Sequence, residues 1–152
     1  MNADTTGNKL YFDDLHVGQR FTSGEYSLDT EAIRAFAEKF DPQPFHLDEE
    51  AARQSLFKGM VASGWHTAAI TMRLIVDSVP IAGGVIGLGG EISWPGPARP
   101  GTRLHLETEV VELRPSQSRP DRGIVTLRCA TVNENGETVQ KLVTTIVVPR
   151  TA

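Results

Sequence analysis

The sequence predicts an α+β domain in which a curved antiparallel sheet wraps one central apolar helix, and three observations lead there. The stretch from Gly64 to Val79 is helical in character with apolar residues on nearly every face, which demands cover on all sides. Three strand-like runs follow it, Arg103 to Leu113, Gly123 to Asn133 and Glu137 to Val148, separated only by RPSQSRPDR and NENG turns, so they pair as consecutive antiparallel neighbours. A strand and a helix precede them, and no βαβ alternation occurs. With 152 residues, 39% hydrophobic and 22% charged, the chain has the length and make-up of one globular domain.

The elements read as follows. Arg20 to Ser27 is expected to be one short strand after a turn at Gly18. Asp29 is the expected N-cap of a helix whose Ile33, Phe36, Ala37 and Phe40 share a face, and Pro42 ends it at about Phe40 by biasing Asp41 away from helical dihedrals. After the turn DPQPFH, Asp48 to Leu56 reads as a two-turn helix with acids at its N-terminus. Ile81 to Gly101 is rich in glycine and proline and is expected to be loop, and residues 1–10 to be extended or disordered. In Arg103 to Leu113, the residues Leu104, Leu106, Thr108 and Val110 alternate onto one side.

Composition removes several functions. The balance of 15 Lys+Arg against 19 Asp+Glu, with no basic run, lacks the clustered cations a nucleic-acid binder needs. One cysteine, Cys129, leaves no intrachain disulfide and no CxxC, which points to a reducing compartment. The N-terminus carries no basic and apolar leader, and the most apolar stretch is broken by His66, Arg73 and Asp77, so neither export nor membrane insertion is expected, and the cytoplasm is the expected location. His16, His46, His66 and His105 have no metal-site spacing, and no metal site is expected. Gly83-Gly84 and Gly87-Leu88-Gly89-Gly90 lack the context of a phosphate or dinucleotide loop, and Ser63 lacks a nucleophile elbow. His66, inside the apolar helix, reads as a hydrogen-bonded core histidine.

Two stretches carry possible chemistry. Asp41 and His46 lie five residues apart across two prolines, roughly 16 Å if extended, and meet only if the prolines turn the chain. Brought together they suit general acid–base work near neutral pH, although the same residues equally suit a plain Asx turn. In Ala62-Ser63-Gly64-Trp65, a helix starting at Gly64 would present free backbone N–H groups to a developing oxyanion; Ser63 is equally a conventional cap. The apolar, glycine-rich Ile81 to Gly90, with Ile86 and Leu88, is expected to border the pocket beside the central helix.

The order of these residues resembles the MaoC-like dehydratases, a hot-dog-fold family that includes the (R)-specific enoyl-CoA hydratases. The resemblance runs from about Tyr11 to Val148 and is strongest from Ala35 to Ala69. The family segment D-x-x-P-x-H-x-D falls on Asp41, Pro44, His46 and Asp48, and the small-residue–Gly step that opens the hot-dog helix falls on Ser63-Gly64. Phe40 and Gln43 stand where the active hydratases usually carry Gly and Asn. The resemblance implies a hydratase/dehydratase of 2-enoyl and (R)-3-hydroxyacyl thioesters, with Asp41 and His46 catalytic and the Gly64 N–H as oxyanion donor. Ser63 and Trp65 would then flank the substrate. It also implies no metal or redox cofactor, coenzyme A as part of the substrate, and a homodimer, as the open sheet edge independently suggests. A hot-dog thioesterase and a non-catalytic acyl-CoA-binding subunit are the alternatives.

Overall fold

The computed structural model describes residues 9–151. In chain order it contains a 3₁₀ turn (Phe12–Asp14), β1 (Arg20–Thr22), β2 (Tyr26–Ser27), α1 (Thr30–Phe40), α2 (Pro44–Leu47), α3 (Glu49–Arg53), α4 (Gly64–Ser78), β3 (Ile86–Ser93), β4 (Arg103–Pro115), β5 (Arg122–Asn133) and β6 (Thr138–Pro149). The α+β expectation holds. All strands join one antiparallel sheet of order β1-β4-β5-β6-β3, with β2 also paired to β4.

The three long strands form where expected because their alternation matches a sheet with one face on the core. Leu104, Leu106, Thr108 and Val110 of β4 are all buried, and so are Val125, Leu127 and Cys129 of β5 and Ile146 and Val148 of β6. They close on Ile70, Leu74 and Ile75 of α4. β6 carries one extra residue: Thr131 faces Gln140 and Val132 faces Thr138, which leaves Val139 unpaired in the ladder. Such a bulge re-aims a side chain.

α1 is capped as predicted, with Asp29 Oδ1 accepting from Ala32 N at 2.8 Å, and it ends at Phe40. Ile33 and Ala37 face the core, whereas Phe40 is 71% exposed. The single strand expected over Arg20 to Ser27 is two. Ser23 interrupts it by accepting the Leu106 N–H on its side-chain oxygen while its own N–H donates to Leu106 O, so one residue of β4 is spanned by side chain and backbone together. The helix expected from Asp48 to Leu56 is shorter, Glu49–Arg53 with Asp48 as its cap. Leu56, almost wholly exposed, has no core to join.

Two expectations about the middle of the chain are overturned. Ile86–Ser93 is a strand, not loop, because it pairs along β6 at the sheet edge and pairing overrides weak local propensity. One of its glycines serves close packing: a Cβ on Gly90 would overlap the Val143 carbonyl of β6. The cover expected around all of α4 is also incomplete. Trp65, Ala69, Met72 and Val76, spaced i, i+4, i+7 and i+11, form an exposed stripe, since a single sheet reaches only one side of the helix. Most of residues 1–10 lie outside the described range, but Leu10 is within it and bridges to Ile81, donating to Pro80 O and accepting from Ala82 N.

Candidate active site

Pro42 and Pro44 act in sequence to bring Asp41 and His46 together. Asp41 is the C-cap of α1, its N–H on Ala37 O. Pro44, whose missing N–H costs nothing at a first helical position, then opens the single turn of α2, which swings His46 back over the end of α1. The His46 Nε2 lies 3.3 Å from Asp41 Oδ2. His46 is 4% exposed, and its Nδ1 is 2.7 Å from Val61 O. A carbonyl only accepts, so Nδ1 bears a proton and donates it to Val61 O, and Nε2 is the ring nitrogen turned toward Asp41. The segment that supplies Val61 O continues directly into Ser63.

Burial works to raise the Asp41 pKa. Hydrogen bonding from Ser63 and from the Gln43 amide, together with neighbouring His46, outweighs it and holds the carboxyl below the ordinary carboxylate range. Asp41 is therefore an acceptor, and its Oδ2 faces His46 Nε2. One water beside the pair would lie within reach of both groups.

Ser63 is fully buried and caps α4, its Oγ accepting from Trp65 N at 3.2 Å. The next N–H groups, of His66 and Thr67, bond back to Ser63 O. Among the described residues the Gly64 N–H meets no acceptor. Asp41, His46, Gly64 and Trp65 all line one cavity of about 450 Å³, so the structure brings four of the sequence-predicted site residues to a single space, with Ser63 directly behind them. Ile86 and Leu88 do not line that cavity. They sit on the exposed edge strand β3, 58% and 56% exposed.

Sequence reasoning missed Trp94, Phe57, Val139 and the Pro95 to Ala98 segment, all of which wall the cavity. Trp94 stands in the Trp-Pro-Gly-Pro run, where a large aromatic amid turn residues was the available signal. Val139 is placed by the β6 bulge, which leaves no mark in the sequence. His66 also departs from its reading: among the described residues its buried Nδ1 has no hydrogen-bond partner, and the ring instead stacks on Phe36 at 4.7 Å and 5°.

The family described as MaoC like domain matches residues 13–133. The chain belongs to this family. The match contains the Asp41–His46 corner and the start of α4, and it stops at the end of β5, before the strand that supplies Val139. Among solved structures, a MaoC-like dehydratase from Rhodospirillum rubrum is 58% identical with a TM-score of 0.92, covering 94% of this chain and 99% of that one. The (R)-hydratase PhaJ1 of Pseudomonas aeruginosa is 27% identical with a TM-score of 0.76, over 94% and 88% of the two chains. The uncharacterized protein YdeM of Bacillus subtilis is 31% identical over 128 residues, 82% of this chain and 89% of that protein. The sheet around α4 is the hot-dog fold shared by this MaoC-like group. Among the described residues no helix is long and apolar enough to cross a membrane.

Proposed function

We propose that this MaoC-like protein is a hydratase/dehydratase interconverting 2-enoyl and (R)-3-hydroxyacyl thioesters, with coenzyme A carried as part of the substrate. The observation that carries the reading is the facing pair, Asp41 Oδ2 and His46 Nε2, in the same cavity as the helix N-terminal N–H of Gly64. Similarity to an (R)-hydratase and to MaoC-like dehydratases supports it.

In the hydration direction, one water is held by Asp41 and His46 together and turns a lone pair toward C3 of the enoyl group. Its oxygen bonds to C3 as one of its protons passes to the Asp41/His46 pair. The C2=C3 electrons move toward the thioester carbonyl, and the resulting oxyanion rests on the Gly64 N–H, where a preorganised donor in a partly dry site is worth several kcal/mol, about 3. A proton returns from the pair to C2, which completes addition of water with no net change in the chain. Because the pair is coupled, its protons belong to the unit. The stereochemistry and the carrier follow from the resemblance to (R)-specific hydratases.

The monomer also leaves the α4 stripe and the outer side of β3 uncovered, and we assign both to contact with a second copy of the chain. Incubation with crotonyl-CoA tests the reaction. Loss of the conjugated absorbance without free thiol supports the hydratase; release of free thiol indicates a thioesterase; binding without either change indicates a non-catalytic acyl-CoA-binding subunit.

A further inference from the structure

A line of buried polar side chains runs through the core and ends on the cavity wall. Thr71 of α4 and Thr131 of β5 share a hydrogen bond of 2.6 Å, and the Gln140 amide donates to Thr71 Oγ1 at 2.9 Å. At its other end, Gln140 Oε1 accepts from the indole N–H of Trp94, also at 2.9 Å. Gln140 is wholly buried, and Thr71 and Thr131 are each 1% exposed. Burying an amide is costly unless it is bonded, and this one is bonded at both ends, one of them to the indole. The ring is held on two further sides. Trp65 packs edge-on at 5.5 Å, and Gly64 lies so close that a Cβ there would come 2.7 Å from the indole.

The cavity follows α4 for only one turn. Gly64, Trp65 and Thr67 line it, and Thr71, on the next turn, is already engaged with Gln140. From Gly64 to Thr67 the helix rises about 4.5 Å, the length of about three carbon–carbon bonds. We propose that Trp94, pinned by the Gln140–Thr71–Thr131 line, is the specificity-determining wall that closes the acyl end of this site and restricts it to short acyl thioesters, of about four to six carbons. The proposal rests on the thioester reading above and adds the size of the acyl group.

The test pairs turnover with binding. Crotonyl-CoA and 2-octenoyl-CoA are compared as substrates, and butyryl-CoA and octanoyl-CoA as ligands by calorimetry, for the parent protein, Trp94→Ala, Trp94→Leu and Gln140→Leu. The parent is expected to favour the four-carbon member of each pair. Opening the wall with Trp94→Ala is expected to raise the octenoyl-to-crotonyl ratio of kcat/KM about 10-fold or more, since each methylene a pocket accommodates is worth roughly that factor. Gln140→Leu, which is close in size and only releases the indole N–H, is expected to move the same ratio in the same direction by less. If the parent prefers the eight-carbon members, or if a folded Trp94→Ala or Trp94→Leu keeps the parental ratio, the assignment is overturned. If the parent hydrates neither enoyl thioester, the hydratase reading fails by itself, and the butyryl-to-octanoyl binding ratio in the same variants decides the role of Trp94. Failure of the parent to bind either saturated thioester also overturns the proposal.

Discussion

Asp41 and His46 differ in how they are held, and the difference predicts how they fail. His46 is clamped from behind by Val61 O, whereas Asp41 is held from the side by the Gln43 amide. Asp41→Asn and His46→Gln are near in shape, so each is expected to keep the fold, seen by circular dichroism, and to lower turnover of a hydrated substrate by about 10²- to 10⁴-fold. The double variant is expected to lose far less than the product of the single losses, because the two act on one water; wild-type rates in both single variants would remove them from the chemistry. His66 makes a separate prediction. Burial, and secondarily the nearby His46, depress its pKa in the folded chain, and its Nδ1 has no partner among the described residues. An unfolded histidine takes up its proton at about pH 6.5 while the folded one resists, so stability is fully present above that pH and falls as the pH drops toward the folded pKa. His66→Phe, which keeps a ring against Phe36, is expected to narrow the gap in Tm between pH 7.5 and 5.5; an unchanged gap would assign the acid sensitivity elsewhere.

At the scale of an element, the start of α4 is shaped by what it must admit. A glycine in a helix is ordinarily a liability against alanine. Here the sign reverses, because the Trp94 ring occupies the space a Cβ would take, at 2.7 to 3.0 Å. Gly64→Ala is expected to destabilise the protein by about 1–3 kcal/mol through overpacking, read as a lower denaturant midpoint, and to displace the indole. Stabilisation by this substitution would show that the ring moves freely aside. Ser63 ties the same helix start to the acid–base pair, since its hydroxyl caps α4 and also helps keep the Asp41 carboxyl below the ordinary carboxylate range.

For the whole molecule, the uncovered surfaces set the expectation. β3 pairs with β6 on one side only, and Ile86, Leu88 and the α4 stripe are apolar and exposed. An open edge strand beside exposed apolar residues favours self-association. Sedimentation is expected to show a species of twice the 16.6 kDa chain mass. Charges placed at Val76→Glu or Leu88→Lys are expected to shift it toward monomer. A parent protein that sediments at ~17 kDa at micromolar concentration would sink the association.

What the sequence determined by itself was whatever depends on neighbours along the chain. The cap at Asp29, the stop at Phe40, the start of α4 at Gly64 and the alternation of the three long strands are written in local periods and turn residues, and all of them stand in the structure. Asp41 and His46 were legible as candidates for the same reason, as two chemical groups bracketing two prolines. Their 3.3 Å approach was not, since it needs the α2 turn and the Val61 carbonyl together. The tertiary structure alone decided that the glycine-rich Ile86–Ser93 is a strand, that α4 leaves one face bare, and that Trp94 and Val139 wall the cavity. The β3 strand and the Trp94 wall depend on residues tens of positions apart, β6 for β3 and Gln140 for Trp94, and Val139 depends on a register shift against the neighbouring β5. Pairing and packing across such distances override local propensity, and no window of the sequence contains both partners.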